Sequence, residues 1–122
     1  MGIKLLIVDD SRVSRLIIKA KVLLIQPDWT ILEASSGAEA IVLATSESPD
    51  FITMDINMPG ISGYEAVERI RAINSAARIV VLTANIQESS RERASQLKVH
   101  FVPKPVTEAA IQDALDYFMG MS

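Results

Sequence analysis

The segment Lys4–Asp10 reads KLLIVDD, an apolar run that ends in two carboxylates, and similar arrangements recur three times. FITMD at 51–55 ends in Asp55, RIVVLT at 78–83 ends in Thr83, and HFVPKP at 100–105 carries Lys104 near its end. Each apolar run predicts a buried strand, so each polar group is expected at the carboxyl end of a strand. In an open parallel sheet those ends share one edge, where ligands bind. The chain therefore predicts a single site at that edge.

Apolar runs alternate with amphipathic segments along the chain. The predicted strands are Ile3–Val8, Thr30–Ala34, Phe51–Met54, Ile79–Leu82 and Phe101–Val102, and the predicted helices span 12–25, 38–45, 64–73, 87–97 and 108–119. Strands that alternate with helices imply βαβ units with right-handed crossovers. The sequence predicts an α/β fold with a parallel sheet, and its 122 residues suggest one domain over 1–122.

Composition narrows the classes of function. The net charge of −3 argues against nucleic-acid binding by the chain itself. Cysteine is absent, so disulfides and thiolate metal sites are excluded. The apolar stretches are too short for a membrane span, and the amino-terminal run ends in two acids, unlike a signal peptide. We expect a cytoplasmic protein with no membrane partner.

The carboxylates predict a magnesium site. Mg²⁺ prefers oxygen ligands, keeps several waters, and is often held by one or two carboxylates together with a phosphate oxygen. Asp10 and Asp55 are the expected direct ligands, Asp9 is expected to hold a bound water, and the backbone carbonyl of Asn57 is expected to supply another oxygen.

The same residues suit phosphoryl transfer, with Asp55 as the nucleophile. A carboxylate can form an acyl phosphate, and phosphoryl transfer requires mainly alignment and charge neutralisation. Mg²⁺ and Lys104 would neutralise phosphoryl oxygens. The Thr83 hydroxyl and a backbone N–H near Ala84 or Asn57 would bind the rest.

Each signal also has an ordinary interpretation. Asp after a strand is common in turns, Thr83 could cap a helix, and Lys104 could be a surface lysine. The joint occurrence of all four signals at strand ends favours a functional site.

These motifs resemble the response-regulator receiver family of two-component signalling across essentially the whole chain. The matching segments are LLIVDDS, DINMPGISGYE, VVLTAN and FVPKP. The resemblance implies a flavodoxin-like, doubly wound, five-stranded sheet of order 2-1-3-4-5. It implies phosphoryl transfer from a phosphohistidine onto Asp55, Mg²⁺ as cofactor, slow self-dephosphorylation and no other enzymatic activity. It also implies a switch through Thr83 and Phe101.

The sequence departs from the family pattern near the predicted fifth strand. Phe101 lacks the hydroxyl of the tyrosine that many members carry, and the preceding turn reads Leu97-Lys98-Val99-His100 where the family usually has Gly-Ala. Asn57 and Asn85 occupy positions that tune phosphate lifetime in the family.

Two surfaces are candidates for protein partners. On the first helix, one apolar stripe is predicted to face the core: Val13, Leu16, Ile17, Ala20, Leu23 and Leu24. A second stripe, Ile18, Val22 and Ile25, is bordered by Arg15 and Lys19 and is predicted to dock the helical bundle of a histidine kinase or phosphotransfer protein. The alternative is that the fifth helix covers part of this stripe, or that these are scattered apolar residues of the surface.

The resemblance places the output surface on the fourth helix, fifth strand and fifth helix. The fourth helix carries a charged face of Glu88, Arg91, Glu92 and Arg93, and the apolar contact candidates are Ile86, Val99 and Phe101.

Other functions remain open at this point. The runner-up is an aspartate-nucleophile phosphohydrolase of the haloacid dehalogenase type, although its nucleophile follows the first strand, whereas Asp55 follows the third. A flavodoxin-like cofactor binder needs a Ser/Thr/Gly-rich phosphate loop after the first strand, and it is disfavoured because Asp9 and Asp10 stand there and would repel a phosphate without a metal ion. A pseudo-receiver is disfavoured because every site position is filled. The chain could also be the receiver fragment of a larger regulator.

Overall fold

A five-stranded parallel sheet forms the centre of the molecule in a computed structural model that describes residues 2–84 and 87–120. The strands are β1 (Lys4–Val8), β2 (Thr30–Ala34), β3 (Phe51–Met54), β4 (Arg78–Thr83) and β5 (His100–Pro103). Their order is β2-β1-β3-β4-β5, and every neighbouring pair is parallel. The predicted α/β fold and the strand order that the resemblance implied are confirmed.

Five helices connect and follow the strands. They are α1 (Arg12–Ile25), α2 (Gly37–Glu47), α3 (Gly63–Ile73), α4 (Glu88–Gln96) and α5 (Glu108–Phe118). The predicted element boundaries differ from these by no more than two residues. Serine or threonine caps four helix starts: Ser11, Ser36, Ser62 and Thr107 each accept a backbone N–H from the first turn. Among the described helices, none is long and apolar enough to cross a membrane.

The helices cover the sheet on both faces. Helices α1 and α5 pack on one face, where Leu5 and Ile7 of β1 join a buried cluster with Ile111 and Leu115 of α5. Helices α2, α3 and α4 cover the other face, where Leu6 and its neighbours form a second cluster. Because apolar groups face both layers, strands β1, β3 and β4 are almost continuously apolar, as is typical of a buried parallel sheet.

Helix α1 lies in the opposite orientation to the one predicted. Ile18 and Val22 are each only 2% exposed and belong to the core between the sheet and α5. They therefore cannot dock a partner, and only Ile25 of that predicted surface is exposed. The stripe predicted to face the core instead points largely to solvent: Val13, Leu16, Ile17, Ala20 and Leu24 are exposed, and Leu23 is half-buried.

The basic residues beside Ile18 border the core face of α1. Arg15 Nε lies 3.0 Å from Glu33 Oε1 on β2, and Lys19 Nζ lies 3.9 Å from Glu33 Oε2. These long side chains run along the flank of the buried face and bring their charges to the edge of the sheet. The basic neighbours of the predicted docking stripe therefore pair with Glu33 beside the core.

The turn between α4 and β5 keeps a left-handed conformation without glycine. Lys98 has φ of +56°, its N–H donates to Ser95 O at 3.0 Å, and the Val99 N–H donates to Ala94 O at 3.1 Å. This pair of bonds is the Schellman motif, whose left-handed position glycine usually occupies. A lysine there is strained, since the left-handed region costs a residue with a Cβ roughly 1–2 kcal/mol.

Candidate functional site

Three carboxylates converge at the carboxyl edge of the sheet. Asp9 and Asp10 follow β1, and Asp55 follows the neighbouring strand β3. One carboxylate oxygen from each residue lies within 4.8 Å of the other two. Asp9 is 1% exposed and Asp55 is 7% exposed, whereas Asp10 is open to solvent. The cluster therefore has a buried floor and one open side.

Asp9 is fixed on every side by polar contacts. Its Oδ1 accepts the Ser11 N–H at 2.9 Å. Its Oδ2 accepts the Ser14 hydroxyl at 2.7 Å and the Lys104 ammonium at 2.8 Å. Its backbone carbonyl accepts Arg15 Nη1 at 2.7 Å. These contacts compensate for the burial of the Asp9 charge and hold the carboxylate at the base of the cluster.

Lys104 brings the positive charge of the site from the far end of the chain. Its backbone N–H donates to Thr83 O at 2.8 Å, which ties the loop after β5 to the end of β4. The peptide bond between Lys104 and Pro105 is cis. The ammonium also donates to Ser14 Oγ at 3.2 Å. In this structure the Lys104 ammonium therefore contacts Asp9, one of the three clustered acids.

Asp55 lies at the end of β3 in a largely buried setting. Its backbone N–H donates to Val8 O at 3.0 Å, which aligns the ends of β1 and β3. Burial raises the pKa of the Asp55 carboxyl above its ordinary 3.8; nearby Lys104 and the Asn57 N–H oppose this shift, and the charge of Asp9 adds to it. Crowded anions in a partly dry site are costly without a compensating cation.

Gly63 lets the start of α3 approach the backbone of Asp55. A Cβ at Gly63 would lie only 2.3 Å from the Asp55 carbonyl oxygen. The Gly63 N–H donates to Ile56 O at 3.1 Å. The loop that begins at Asp55 and the amino-terminal turn of α3 are therefore in direct backbone contact.

Thr83 and Phe101 lie on the same face of the sheet. Thr83 is the last residue of β4 and is fully buried. Alternation along β4 puts Thr83 on the face of Val81, and Phe101 packs against the cluster that contains Val81. Val81 pairs with Phe101 in the register of β4 and β5, so Thr83 lies one side-chain step beyond Phe101, toward the carboxylates.

The remaining candidate residues differ in their exposure. Ala84 and Asn57 are both exposed. Phe101 is half-buried, and the Arg91 guanidinium of α4 lies 4.7 Å above its ring centroid. Val99 is buried rather than available for contact. Asn85 and Ile86, also predicted to contribute, lie outside the described residues.

Ser14 is a site residue that the sequence analysis missed. Its hydroxyl contacts both the Asp9 carboxylate and the Lys104 ammonium. The available signal was position, since Ser14 lies three residues after the helix cap Ser11 and so in the first turn of α1. A hydroxyl there points back over the preceding loop.

The donor set suits a hard divalent cation. Carboxylate oxygens are the ligands that Mg²⁺ prefers, and three acids that share a small volume gain stability when such an ion neutralises them. Asp10 and Asp55 offer the more accessible carboxylates, since Asp9 is already occupied by Lys104 and two serines. The cluster can thus combine a metal ion with a carboxylate nucleophile.

Comparison with known proteins gives a consistent result. The sequence model of the response regulator receiver domain matches residues 5–116. The chain is 34% identical over 117 residues to chemotaxis protein CheY of Bacillus subtilis, a match that covers 95% of this chain and 97% of that protein. It is 27% identical over 123 residues to sporulation initiation phosphotransferase F of Bacillus subtilis, covering 99% and 97% of the two.

A solved structure shows the same architecture with a metal ion. The receiver domain of sensor histidine kinase PA1611 from Pseudomonas aeruginosa PAO1 matches with a TM-score of 0.84 and 28% identity, covering 98% of this chain and 99% of that one. In that structure a magnesium ion is coordinated in the active site cleft.

Proposed function

The chain belongs to the response regulator receiver family, and from that premise we propose that it is a phosphorylation-dependent switch of two-component signalling. It accepts a phosphoryl group from a histidine kinase or phosphotransfer protein onto Asp55, acting as one receiver unit over residues 1–122 in the cytoplasm. The observation that carries the proposal is the group of three carboxylates within 4.8 Å of one another, with Lys104 2.8 Å from one of them.

Mg²⁺ fits this group of residues. Asp10 and Asp55 would ligate it directly, Asp9 through a water, and Asn57 through its backbone carbonyl. When bound, the ion supplies positive charge that offsets the acids and the phosphoryl oxygens. Asp9 contributes differently, because it keeps the Lys104 ammonium beside the cluster.

The transfer itself needs little covalent chemistry from the protein. A carboxylate oxygen of Asp55 forms a bond to phosphorus while the phosphorus–nitrogen bond of the donor phosphohistidine breaks, and the imidazole leaves with the bonding electrons. Lys104 neutralises a phosphoryl oxygen, and the Thr83 hydroxyl and the Ala84 N–H bind the others. Alignment and charge compensation of this kind account for most of the catalysis in phosphoryl transfer.

Readout then passes through Thr83 and Phe101. Their shared face supports this route, because a hydroxyl drawn toward a phosphoryl group on Asp55 would vacate space near the Phe101 ring. The Arg91 guanidinium of α4 lies over the Phe101 ring, so a change in the position of the ring would reach the surface of α4, β5 and α5. A downstream protein would bind that surface.

The phosphoryl donor would dock on the solvent face of α1. Its exposed stripe consists of Val13, Leu16, Ile17, Ala20 and Leu24, and an apolar helix face of this size marks a contact site. The four charged residues of α1 are all basic, and of these Arg15 and Lys19 pair with Glu33 on β2, whereas Arg12 and Lys21 are the other two. This pattern favours a partner helix with an apolar centre and acidic flanks.

The docking proposal has its own test. Leu16→Ser should slow transfer from the cognate kinase by roughly tenfold, the scale of losing about 1.4 kcal/mol at an interface, and should leave labelling by acetyl phosphate unchanged. The matched control is Val42→Ser, because Val42 is also exposed but lies on α2. Equal slowing by both variants, or loss of labelling by the small donor, would contradict docking on α1.

The phosphoryl proposal is tested by intact mass after incubation with acetyl phosphate, with and without Mg²⁺. The expected result is one phosphoryl adduct that requires Mg²⁺ and is absent in Asp55→Asn. The molar amount of phosphate released into solution should stay close to the molar amount of protein over the labelling time. Repeated turnover without an accumulating adduct would instead indicate a phosphohydrolase, and an adduct that persists in Asp55→Asn would reject Asp55 as the acceptor.

A further inference from the structure

Helix α4 has a small apolar anchor. Within the described helix only Ser90 and Ala94 are buried, both small residues. Helix α5 buries Ile111, Leu115 and Phe118 among others. The amino-terminal cap of α4, Gln87, makes no side-chain capping hydrogen bond, unlike the caps of the other four helices. Apolar burial within the described helix therefore contributes little to the position of α4.

Polar side chains from α3 hold α4 instead. The Tyr64 hydroxyl donates to Ser90 O and lies 2.9 Å from Ser90 Oγ. Further along, Glu68 forms an ion pair with Arg93. These two contacts lie one helical turn apart on each helix, so they join matching faces.

A third contact closes the far end of α4. The Arg71 guanidinium donates to Leu97 O and, at 3.1 Å, to Lys98 O. Leu97 and Lys98 form the carboxyl cap of α4, so a cation placed there also complements the helix dipole. We call Tyr64, Glu68 and Arg71 the α3 ladder; their spacing of four and then three residues puts them on one stripe of α3.

The two helices that the ladder joins have different connections to the carboxylate site. At the α3 end, Tyr64 follows Gly63, whose backbone fits against the Asp55 carbonyl with no room for a Cβ. At the α4 end, the helix begins five residues after Thr83. The ladder thus connects the loop that carries Asp55 to the helix that comes after β4.

We infer that the α3 ladder holds α4 in the arrangement of the unphosphorylated protein, with Tyr64 as the principal positioning residue, and that phosphorylation of Asp55 must break it to move α4. This inference rests on the proposed function for its phosphorylated state only. Tyr64 ranks first because its contact is buried, whereas Glu68 and Arg93 are exposed and such pairs contribute little.

The test is hydrogen exchange mass spectrometry on Tyr64→Phe at short labelling times. Loss of one buried hydrogen bond should speed exchange of the α4 amides roughly three- to tenfold, while amides of α1 and the sheet stay within twofold. Tyr117→Phe is the control, because Tyr117 is a half-buried phenol on α5 that stacks on His100. Unchanged exchange in α4, or equal acceleration throughout the molecule, would overturn the inference.

Phosphorylation provides the second readout. After labelling by acetyl phosphate and Mg²⁺, the α4 exchange of Tyr64→Phe and wild type should converge, because the ladder is then already broken in both. The variant should also take up the phosphoryl group faster than the wild type. The increase should be no larger than the factor by which its α4 amides exchange faster. If the ratio of α4 exchange rates between the variant and the wild type is the same before and after phosphorylation, the proposed role of the ladder in switching is overturned.

The experiment distinguishes a failure of the α3 ladder from a failure of the proposed phosphorylation of Asp55. If the wild type gives no adduct in the same sample, the proposed function fails, yet the unphosphorylated comparison still decides whether Tyr64 holds α4. Arg71→Met provides a second variant: it should speed exchange only toward the carboxyl end of α4, around residues 93–98. Acceleration elsewhere and not there would contradict the ladder.

Discussion

The orientation of α1 makes a strong prediction for a pair of alanine variants. Ile18 is 2% exposed between the sheet and α5, whereas Leu16, two residues earlier, is 51% exposed. Ile18→Ala removes three carbon groups from the core, worth about 2.4 kcal/mol at 0.8 kcal/mol each. Incomplete collapse of the cavity adds to this loss, so the expected total is about 3–4 kcal/mol.

Leu16→Ala should behave as an ordinary surface change. Half of its side chain already contacts water and alanine favours helix, so the expected loss is less than about 1 kcal/mol. Urea unfolding followed by circular dichroism measures both free energies under the same conditions. The reasoning is refuted if Leu16→Ala costs more than Ile18→Ala, because the apolar stripes of α1 would then face the other way.

Three further predictions concern single residues. Lys98→Gly should raise the free energy of unfolding by about 1 kcal/mol, since glycine relieves the left-handed strain at φ of +56°; an unchanged urea midpoint would show that the lysine is unstrained. Asp55→Asn should stabilise the metal-free protein at pH 7. Burial raises the pKa of Asp55 in the native state above its ordinary value of 3.8. Between the ordinary pKa and the raised pKa the native state binds more protons than the unfolded state, so the wild type loses stability through Asp55 as pH rises. The stability gain of Asp55→Asn should therefore fade as pH falls toward 3.8, and a gain that grows instead would contradict this sign. Lys104→Met should cost about 1–3 kcal/mol in EDTA by leaving Asp9 without its cation, and Mg²⁺ should restore part of the loss; a loss that Mg²⁺ leaves unchanged would place the ion elsewhere.

The sheet could be predicted from the sequence because its signals are local. Buried parallel strands read as apolar runs, and the turns into four of the five described helices carry a capping serine or threonine, as at Ser62 and Thr107. The polar residues of the site follow those runs directly, so predicting the strands also places Asp10 and Asp55 at one edge.

The orientation of α1 could not be predicted in the same way. Its two stripes are both apolar, so the 3.6-residue period fits either one. The choice depends on contacts distant in sequence, with Leu115 on α5 for Ile18 and with Glu33 on β2 for Arg15. A pattern read along one helix carries no information about those partners.

The details of the site depend on similar long-range contacts. The contact between Lys104 and Asp9 spans 95 positions of sequence, and it places the ammonium against a buried acid beside the cluster. The contact from Tyr64 to Ser90 joins two helices 26 positions apart. Tyrosine at the start of a helix gives no sign of such a partner.

The central claim is that Asp55 itself carries the phosphoryl group, although Asp9 and Asp10 lie within the same 4.8 Å cluster. The direct measurement is borohydride reduction of the protein after labelling with acetyl phosphate and Mg²⁺, followed by peptide mass spectrometry. Reduction converts an aspartyl phosphate to homoserine and leaves free aspartate unchanged. The account predicts homoserine at position 55 only in the labelled, Mg²⁺-containing sample; homoserine at position 9 or 10, or at none of the three when an adduct is present, would contradict it.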